Sequence, residues 1–288
     1  MDIDAKTRLC LLLGDPVDHS LSPLIHNAGF KALNLNYVYL ASPVDEPELG
    51  AAVAGLRALS MAGANVTSPY KKKVLPYLDS LSEEAGTIQS VNTIVNQDGL
   101  LHGTTTDGTG FLNSLQQTAP GFHSDQTIML FGAGGAARAL AYTLARNGAK
   151  EIFVVNRTPD RGEALADLLR SSTPLRNCST LPLAAEKIIP VLPLCDLFVY
   201  SLPSDSDEII TALENSGHIF QNSRFFDLRY QQKETEVMRT FARSGAKAHN
   251  GLGMLLWQAA LAFELFTGQK APWAEMQKAL DKKKIEGE

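Results

Sequence analysis

At 288 residues, with 44% hydrophobic and 20% charged residues, the chain has ordinary globular composition and enough length for one large domain or two ordinary ones, and two are expected. No stretch approaches the apolar length that spans a bilayer, and a net charge of −5 leaves no broad electropositive surface for nucleic acid, so a small molecule is the expected partner. Three cysteines (Cys10, Cys178, Cys195) and six scattered histidines lack C-x-x-C and H-x-x-x-H spacing, which argues against a disulfide framework and a metal site and suits a reducing cytoplasm. The acidic opening Met1-Asp2-Ile3-Asp4-Ala5-Lys6 lacks the basic-then-apolar order of a secretory signal.

In chain order, the apolar run 9–13 predicts a strand, and Ser22-Pro23 predicts an N-cap and first-turn proline for a helix to about residue 33. A strand over 37–41, a helix over 46–59 and a strand over 64–67 repeat that unit, which points to a parallel α/β layer. Strands at 93–96 and 100–103 flank Asp98-Gly99, a hairpin signal that makes the sheet edge mixed. From Thr127 the pattern restarts with a buried strand over 127–131, a glycine turn, an alanine-rich helix to about residue 147 and a strand over 151–155, one βαβ unit of Rossmann type. Runs at 197–200 and 225–228 continue that sheet, 251–268 reads as a buried apolar helix, and the tail from Lys282 reads as frayed.

Gly132-Ala133-Gly134-Gly135-Ala136-Ala137 directly follows a predicted strand and opens a helix. Gly132 suits the tight turn, Gly134 lets backbone approach a pyrophosphate, and the helix start offers unpaired N–H groups. At the end of the next strand, where an NAD site would place a carboxylate, stand Asn156-Arg157-Thr158, with Arg161 one turn later. Two guanidiniums suit a 2′-phosphate, so NADP is the expected cofactor, although an arginine pair at a helix start is also an ordinary solvated feature. Ser20-Leu21-Ser22-Pro23, Asn65-Val66-Thr67-Ser68-Pro69-Tyr70-Lys71, Asn92-Thr93 and Thr106-Asp107-Gly108 bring together hydroxyls, amides, a lysine and a carboxylate, suited to a small polyhydroxylated acid. By composition alone Lys71-Lys72-Lys73 is an exposed basic run, and only the preceding motif singles out Lys71.

The segment Gly14-Asp15-Pro16-Val17-Asp18-His19-Ser20-Leu21-Ser22-Pro23-Leu24-Ile25-His26-Asn27 resembles the opening signature of shikimate dehydrogenases, and the motifs above, with Gly253-Met254-Leu255-Leu256-Trp257-Gln258-Ala259-Ala260, follow in that family's order. The resemblance implies a two-domain α/β fold: a substrate domain from residues 1–110 and returning helices 251–288, an inserted Rossmann NADP domain over 111–250, and an active-site cleft between them. It implies that Ser20 and Ser22 bind the substrate carboxylate, that Asn65, Thr67 and Asn92 bind ring hydroxyls, and that Tyr230 and Gln258 complete the pocket. Lys71 would serve as acid and base with Asp107 orienting it. Gly132, Ala133, Gly134, Gly135, Ala136, Asn156, Arg157, Thr158, Arg161 and Gly251 would hold NADP. His19 and His26 are assigned no chemistry. The expected activity is NADP-dependent interconversion of 3-dehydroshikimate and shikimate in aromatic amino-acid biosynthesis, with at most a second copy of the chain, in a homodimer, as protein partner.

Four departures from that family's pattern stand out: Gln89-Ser90 for Gly-Ala, Thr105 for asparagine, Tyr200-Ser201-Leu202-Pro203 for Asn-Ala-Thr-Ser, and Gln231-Gln232 after Tyr230. They leave open a dehydrogenase of quinate or another shikimate-like acid. A catalytically silent sensor of ligand or cofactor is the alternative of another class, against which Lys71 and Asp107 together argue.

Overall fold

The computed structural model describes residues 3–118 and 121–286, with side chains to residue 283. The chain forms two compact units, one comprising the part up to Gly110 and the part from Leu255 onward, the other Phe111–Met254. Residues 251–254 thus fall with the second unit.

In chain order the first unit runs β1 (Arg8–Gly14), α1 (Ser22–Ala32), β2 (Tyr37–Pro43), α2 (Leu49–Ala58), β3 (Gly63–Val66), β4 (Ser80–Leu81), α3 (Glu83–Ile88), β5 (Thr93–Gln97), β6 (Leu100–Thr104) and the start of α4 (Asp107–Gln116). Its sheet has the order β2-β1-β3-β5-β6-β4. The two crossover helices make β1 parallel to β2 and β3, and the tight Asp98-Gly99 turn makes β5 and β6 antiparallel. One consequence matters for function. The carboxyl ends of β1, β3 and β6 and the amino end of β5 all lie at the same end of the sheet, so residues 15–22, 67–71, 92–93 and 104–107 converge there.

Two expectations shift in detail. Ser22 is the first helical residue of α1 rather than its cap; Leu21 occupies the cap without a side-chain bond, and the Ser22 N–H donates to Ser20 Oγ at 3.2 Å. The helix expected over 46–59 opens as a 3₁₀ turn, Glu46–Glu48, around Pro47, whose ring fits a first turn but supplies no N–H.

The second unit contains β7 (Thr127–Phe131), α5 (Gly135–Arg146), β8 (Glu151–Asn156), α6 (Pro159–Ser172), β9 (Asn177–Pro182), α7 (Ala185–Ile188), β10 (Leu197–Tyr200), α8 (Asp207–Ser216), β11 (Arg224–Asp227), α9 (Glu236–Arg243) and β12 (Lys247–His249). All six strands are parallel in the order β9-β8-β7-β10-β11-β12, a doubly wound sheet whose direction of progression reverses between β7 and β10. Covered on both faces, β7, β10 and β11 are buried along their whole length, which explains the apolar runs of β7 and β10; β11, Arg-Phe-Phe-Asp, is apolar only at its two central residues and buries a charged residue at each end. On one face Phe198, Phe220, Phe225 and Phe241 form an aromatic core, with the Phe225 and Phe241 rings stacked at 4.1 Å.

The helices α10 (Leu252–Thr267) and α11 (Trp273–Glu286) complete the chain. α10 buries Leu255, Leu256, Ala259, Phe263 and Phe266, and no helix among the described residues is long and apolar enough to cross a membrane. The expected frayed tail is helical through Glu286, and its last two residues lie outside those described, as do Met1 and Asp2.

Gln89 caps α3 at φ +54° and ψ +46°, the left-handed region in which a Cβ is strained, and this is where the related pattern has glycine. Gln89→Gly is therefore expected to stabilise the first unit by about 0.5–1 kcal/mol, net of the added unfolded-chain entropy and of the lost hydrogen bond to Gly86 O. Thermal unfolding would show a midpoint raised by about 2 °C.

Candidate active site

At the convergent end of the first sheet, backbone bonds lock the loops together: Asp15 N donates to Ser68 O at 3.2 Å, Val66 N to Asn92 O at 2.8 Å and Asn92 N to Thr104 O at 3.1 Å. Gly14 permits this closeness, since a Cβ there would stand 2.3 Å from Thr67 Cγ2. Lys71 and Asp107 meet at this end. Lys71 Nζ donates to Asp107 Oδ2 at 2.5 Å, with the side chains 16% and 5% exposed, so the pair is largely withdrawn from water yet still reachable at the lysine. Asp107 is the first residue of α4, where the helix dipole favours a carboxylate.

Asn92 is buried beside this pair and donates through Nδ2 to Asp107 Oδ1 at 2.8 Å and Thr106 Oγ1 at 3.0 Å. Gln258 of α10 borders it, with Oε1 3.5 Å from Asn92 Nδ2, and Gly110 makes room because a Cβ there would meet Gln258 N at 2.7 Å. Asn65 lies behind, bonded to Asn92 O, Thr93 Oγ1 and the Tyr39 hydroxyl. Ser20 in the loop after β1, Ser22 at the start of α1 and Thr67 in the loop after β3 stand at the same sheet end, with Ser22 buried and Ser20 and Thr67 half-buried. Lys72 is exposed, as a member of a bare basic run would be. Thr105 is buried, and its Oγ1 lies 3.4 Å from Asp107 N.

In the second unit, the turn after β7 has Gly132 at φ +107°, where a Cβ would also stand 2.5 Å from Ser201 Oγ, so the fold itself requires this glycine. Gly134 is different. Its φ of −77° suits any residue and a Cβ would meet nothing within 4 Å, yet it caps α5, and no side chain caps that helix. Open space at an uncapped helix start with no acidic residue in the first turn is what a pyrophosphate needs. Ala133, Gly135 and Ala136 flank that turn, half-buried, while Ala137 is fully buried in close packing.

At the end of β8, Asn156 Nδ2 donates to Thr158 O at 2.7 Å, shaping the turn. Arg157, Thr158 and Arg161 are exposed, and no carboxylate among the described residues pairs with either arginine. These residues fit a dinucleotide with a 2′-phosphate. Gly251 has a packing reason of its own, since a Cβ would stand 2.1 Å from Leu228 O. Tyr230 follows β11 in this second unit, half-buried, three residues past Asp227.

Two features escape inspection of the sequence. Tyr39, fully buried, extends the polar network of the first unit beyond Thr93, which stands in a motif but buried behind Asn92. In the second, Arg229 grips the buried Asp227 and reaches Asp205 at 2.6 Å. Burial opposes the Arg229 charge, but the hydrogen bonds it donates to Asp227 and Asp205 outweigh that cost and raise its pKa. Among the described residues no group of three or more His, Cys, Asp or Glu side chains could hold a metal, and the three cysteines are free and buried.

A mixed-sheet unit carrying a lysine–carboxylate pair, joined in one chain to a doubly wound unit with an open glycine turn, defines a nucleotide-dependent oxidoreductase. Three sequence families match: the shikimate dehydrogenase substrate binding domain over residues 12–94, shikimate / quinate 5-dehydrogenase over 114–239 and the shikimate 5'-dehydrogenase C-terminal domain over 251–280. A shikimate dehydrogenase (NADP(+)) of Desulforamulus reducens is 40% identical over 288 residues, spanning 99% of this chain and 98% of the relative. Among solved structures, a shikimate dehydrogenase in complex with NADP+ superposes with a TM-score of 0.86 at 34% identity, covering 98% of this chain and 97% of that one. The Listeria monocytogenes enzyme, solved with shikimate and NAD, gives 0.85 at 32% identity, covering 97% and 98%. The chain belongs to the shikimate dehydrogenase family.

Proposed function

We propose that this protein interconverts 3-dehydroshikimate and shikimate with NADP, Lys71 and Asp107 forming its acid–base pair. The observation that carries the reading is the 2.5 Å Lys71–Asp107 contact, braced by Asn92, at the sheet end where the hydroxyl- and amide-bearing loops converge. Bound NADPH supplies the hydride. In reduction the Lys71 ammonium gives a proton to the carbonyl oxygen as that oxygen becomes a hydroxyl, and in the reverse direction the lysine takes that proton back. Asp107 aims Nζ and accepts from a ring hydroxyl. Ser20 and Ser22 hold the carboxylate near the start of α1, Thr67, Asn92, Gln258 and Tyr230 complete recognition of the ring, and buried groups of this kind penalise an analogue lacking a hydroxyl. The three free thiols suit the reducing cytoplasm.

The deciding assay offers shikimate and quinate separately, each with NADP and NAD, and follows the reduced cofactor. Turnover fastest with shikimate and NADP is expected; a preference for quinate would overturn the substrate. In the same assay Arg157→Ala should weaken NADP about 10- to 100-fold, the worth of one or two charge-assisted hydrogen bonds to a phosphate, and leave NAD nearly unaffected. Equal losses for both cofactors would remove the 2′-phosphate from Arg157.

A further inference from the structure

The hydrogen bonds behind Asp107 all run in one direction, and elementary donor and acceptor rules fix that direction at each step. Thr106 N can only donate and reaches Asn92 Oδ1 at 2.8 Å, while the Asp107 carboxylate takes Asn92 Nδ2 at 2.8 Å, so the Asn92 amide has one orientation. The Asn92 backbone carbonyl can only accept, so Asn65 turns Nδ2 toward it at 3.1 Å and toward Thr93 Oγ1 at 3.0 Å, and turns Oδ1 to the Tyr39 hydroxyl, which donates at 2.8 Å. Having accepted from Asn65, Thr93 Oγ1 donates to Asn92 Oδ1 at 2.9 Å.

The result is a chain from Tyr39 through Asn65, Thr93 and Asn92 to Asp107, whose other oxygen receives Lys71. Tyr39 and Thr93 are 0% exposed, so water does not readily replace a lost link. The Tyr39 ring is held in turn by His26, stacked at 4.2 Å with a 3° interplanar angle, and burial pushes the His26 pKa down to about 3, leaving that ring neutral. Aligned links of this kind polarise one another, so a break at the head is felt at the end.

We propose that Tyr39 and Thr93 are positioning residues for the acid–base pair, holding the donor end of Asn92 on Asp107 and so fixing Lys71. Asn65, with its amide nitrogen committed to two protein acceptors, belongs to this support rather than to the ring contacts expected from its motif. The kinetic consequence rests on the activity proposed above; the geometry does not.

Thr93→Val and Tyr39→Phe each delete one hydroxyl, while Thr93→Ser keeps it. The valine and phenylalanine variants should lose about tenfold or more in kcat with shikimate and NADP, the worth of a broken buried link. Their shikimate Kd by calorimetry should change less than about threefold, and Thr93→Ser should return kcat to within about threefold of the unmodified protein. By NMR the Asn92 side-chain amide protons should exchange about tenfold faster or more in the valine and phenylalanine variants. Equal kcat in the serine and valine variants, a lowered melting temperature with kcat intact, or unchanged Asn92 exchange would overturn the proposal. If the unmodified protein fails to oxidise shikimate, the activity reading fails by itself, and Asn92 exchange still decides the chain.

Discussion

Lys71→Ala is expected to lower turnover of shikimate by about 10²–10⁴, the usual worth of a positioned acid/base, while NADP affinity stays within about twofold. The lysine makes its side-chain bond to Asp107 in the first unit, whereas the glycine turn and arginines fitted to the nucleotide belong to the second. Asp107→Asn keeps the shape and removes the charge that orients Nζ, so it should also impair turnover. Because the two residues act as one device, the double variant should be little worse than the worse single one. Lys72→Ala serves as the control, since that side chain is exposed one position away. Steady-state kinetics with shikimate and NADP decide the matter: near-full activity of Lys71→Ala, or loss in Lys72→Ala instead, would require the proton-transfer group to be found elsewhere.

The legible parts of this fold are those where local pattern and burial agree. β7 and β10 are readable because strands covered on both faces are nearly continuously apolar, and the Gly132 turn because its φ of +107° admits glycine readily. β9 is not. Asn-Cys-Ser-Thr-Leu-Pro at a sheet edge buries only Cys178 fully, so no alternation marks it. β4 spans two residues and β12 three, too short for any periodic signal, and they exist because neighbouring strands present open edges.

The same division holds at the site. Lys71, Asp107 and Asn92 stand in recognisable motifs, and topology brings those motifs to one sheet end. Tyr39 gave no such signal: it reads as one alternating aromatic in β2, and its bond to Asn65 spans 26 positions in the sequence. Sequence names the polar residues of a network but does not say which atom donates. That direction follows only once Thr106 N and the Asn92 carbonyl, groups with a single possible role, are set against the two amides. Tyr200, a departure from the related pattern, likewise acquires a reason only in three dimensions, because β10 and β11 pair Tyr200 with Asp227 in register and the Arg229 guanidinium lies 5.0 Å from the Tyr200 ring centroid.

Asp227→Ala is expected to destabilise the second unit by about 3–5 kcal/mol, because it leaves a largely buried guanidinium without its main counter-charge. Asp227 is 0% exposed and receives Arg229 Nε at 2.9 Å, Arg229 Nη2 at 2.6 Å and Thr235 Oγ1 at 2.8 Å. The last contact extends the damage, since Thr235 Oγ1 also accepts from Met238 N at 3.3 Å and so caps α9. Asp205, at 2.6 Å from Arg229 but 34% exposed, compensates only in part. The partner change separates charge burial from packing: Asp227→Leu combined with Arg229→Met removes both charges while keeping apolar volume, and should recover most of the lost stability. Thermal unfolding of the second-unit transition would show a midpoint about 10 °C lower for Asp227→Ala and close to the original for the double variant. A double variant as unstable as Asp227→Ala would mean that this ion pair contributes hydrogen-bonded geometry to the loop before Tyr230 that apolar packing does not replace.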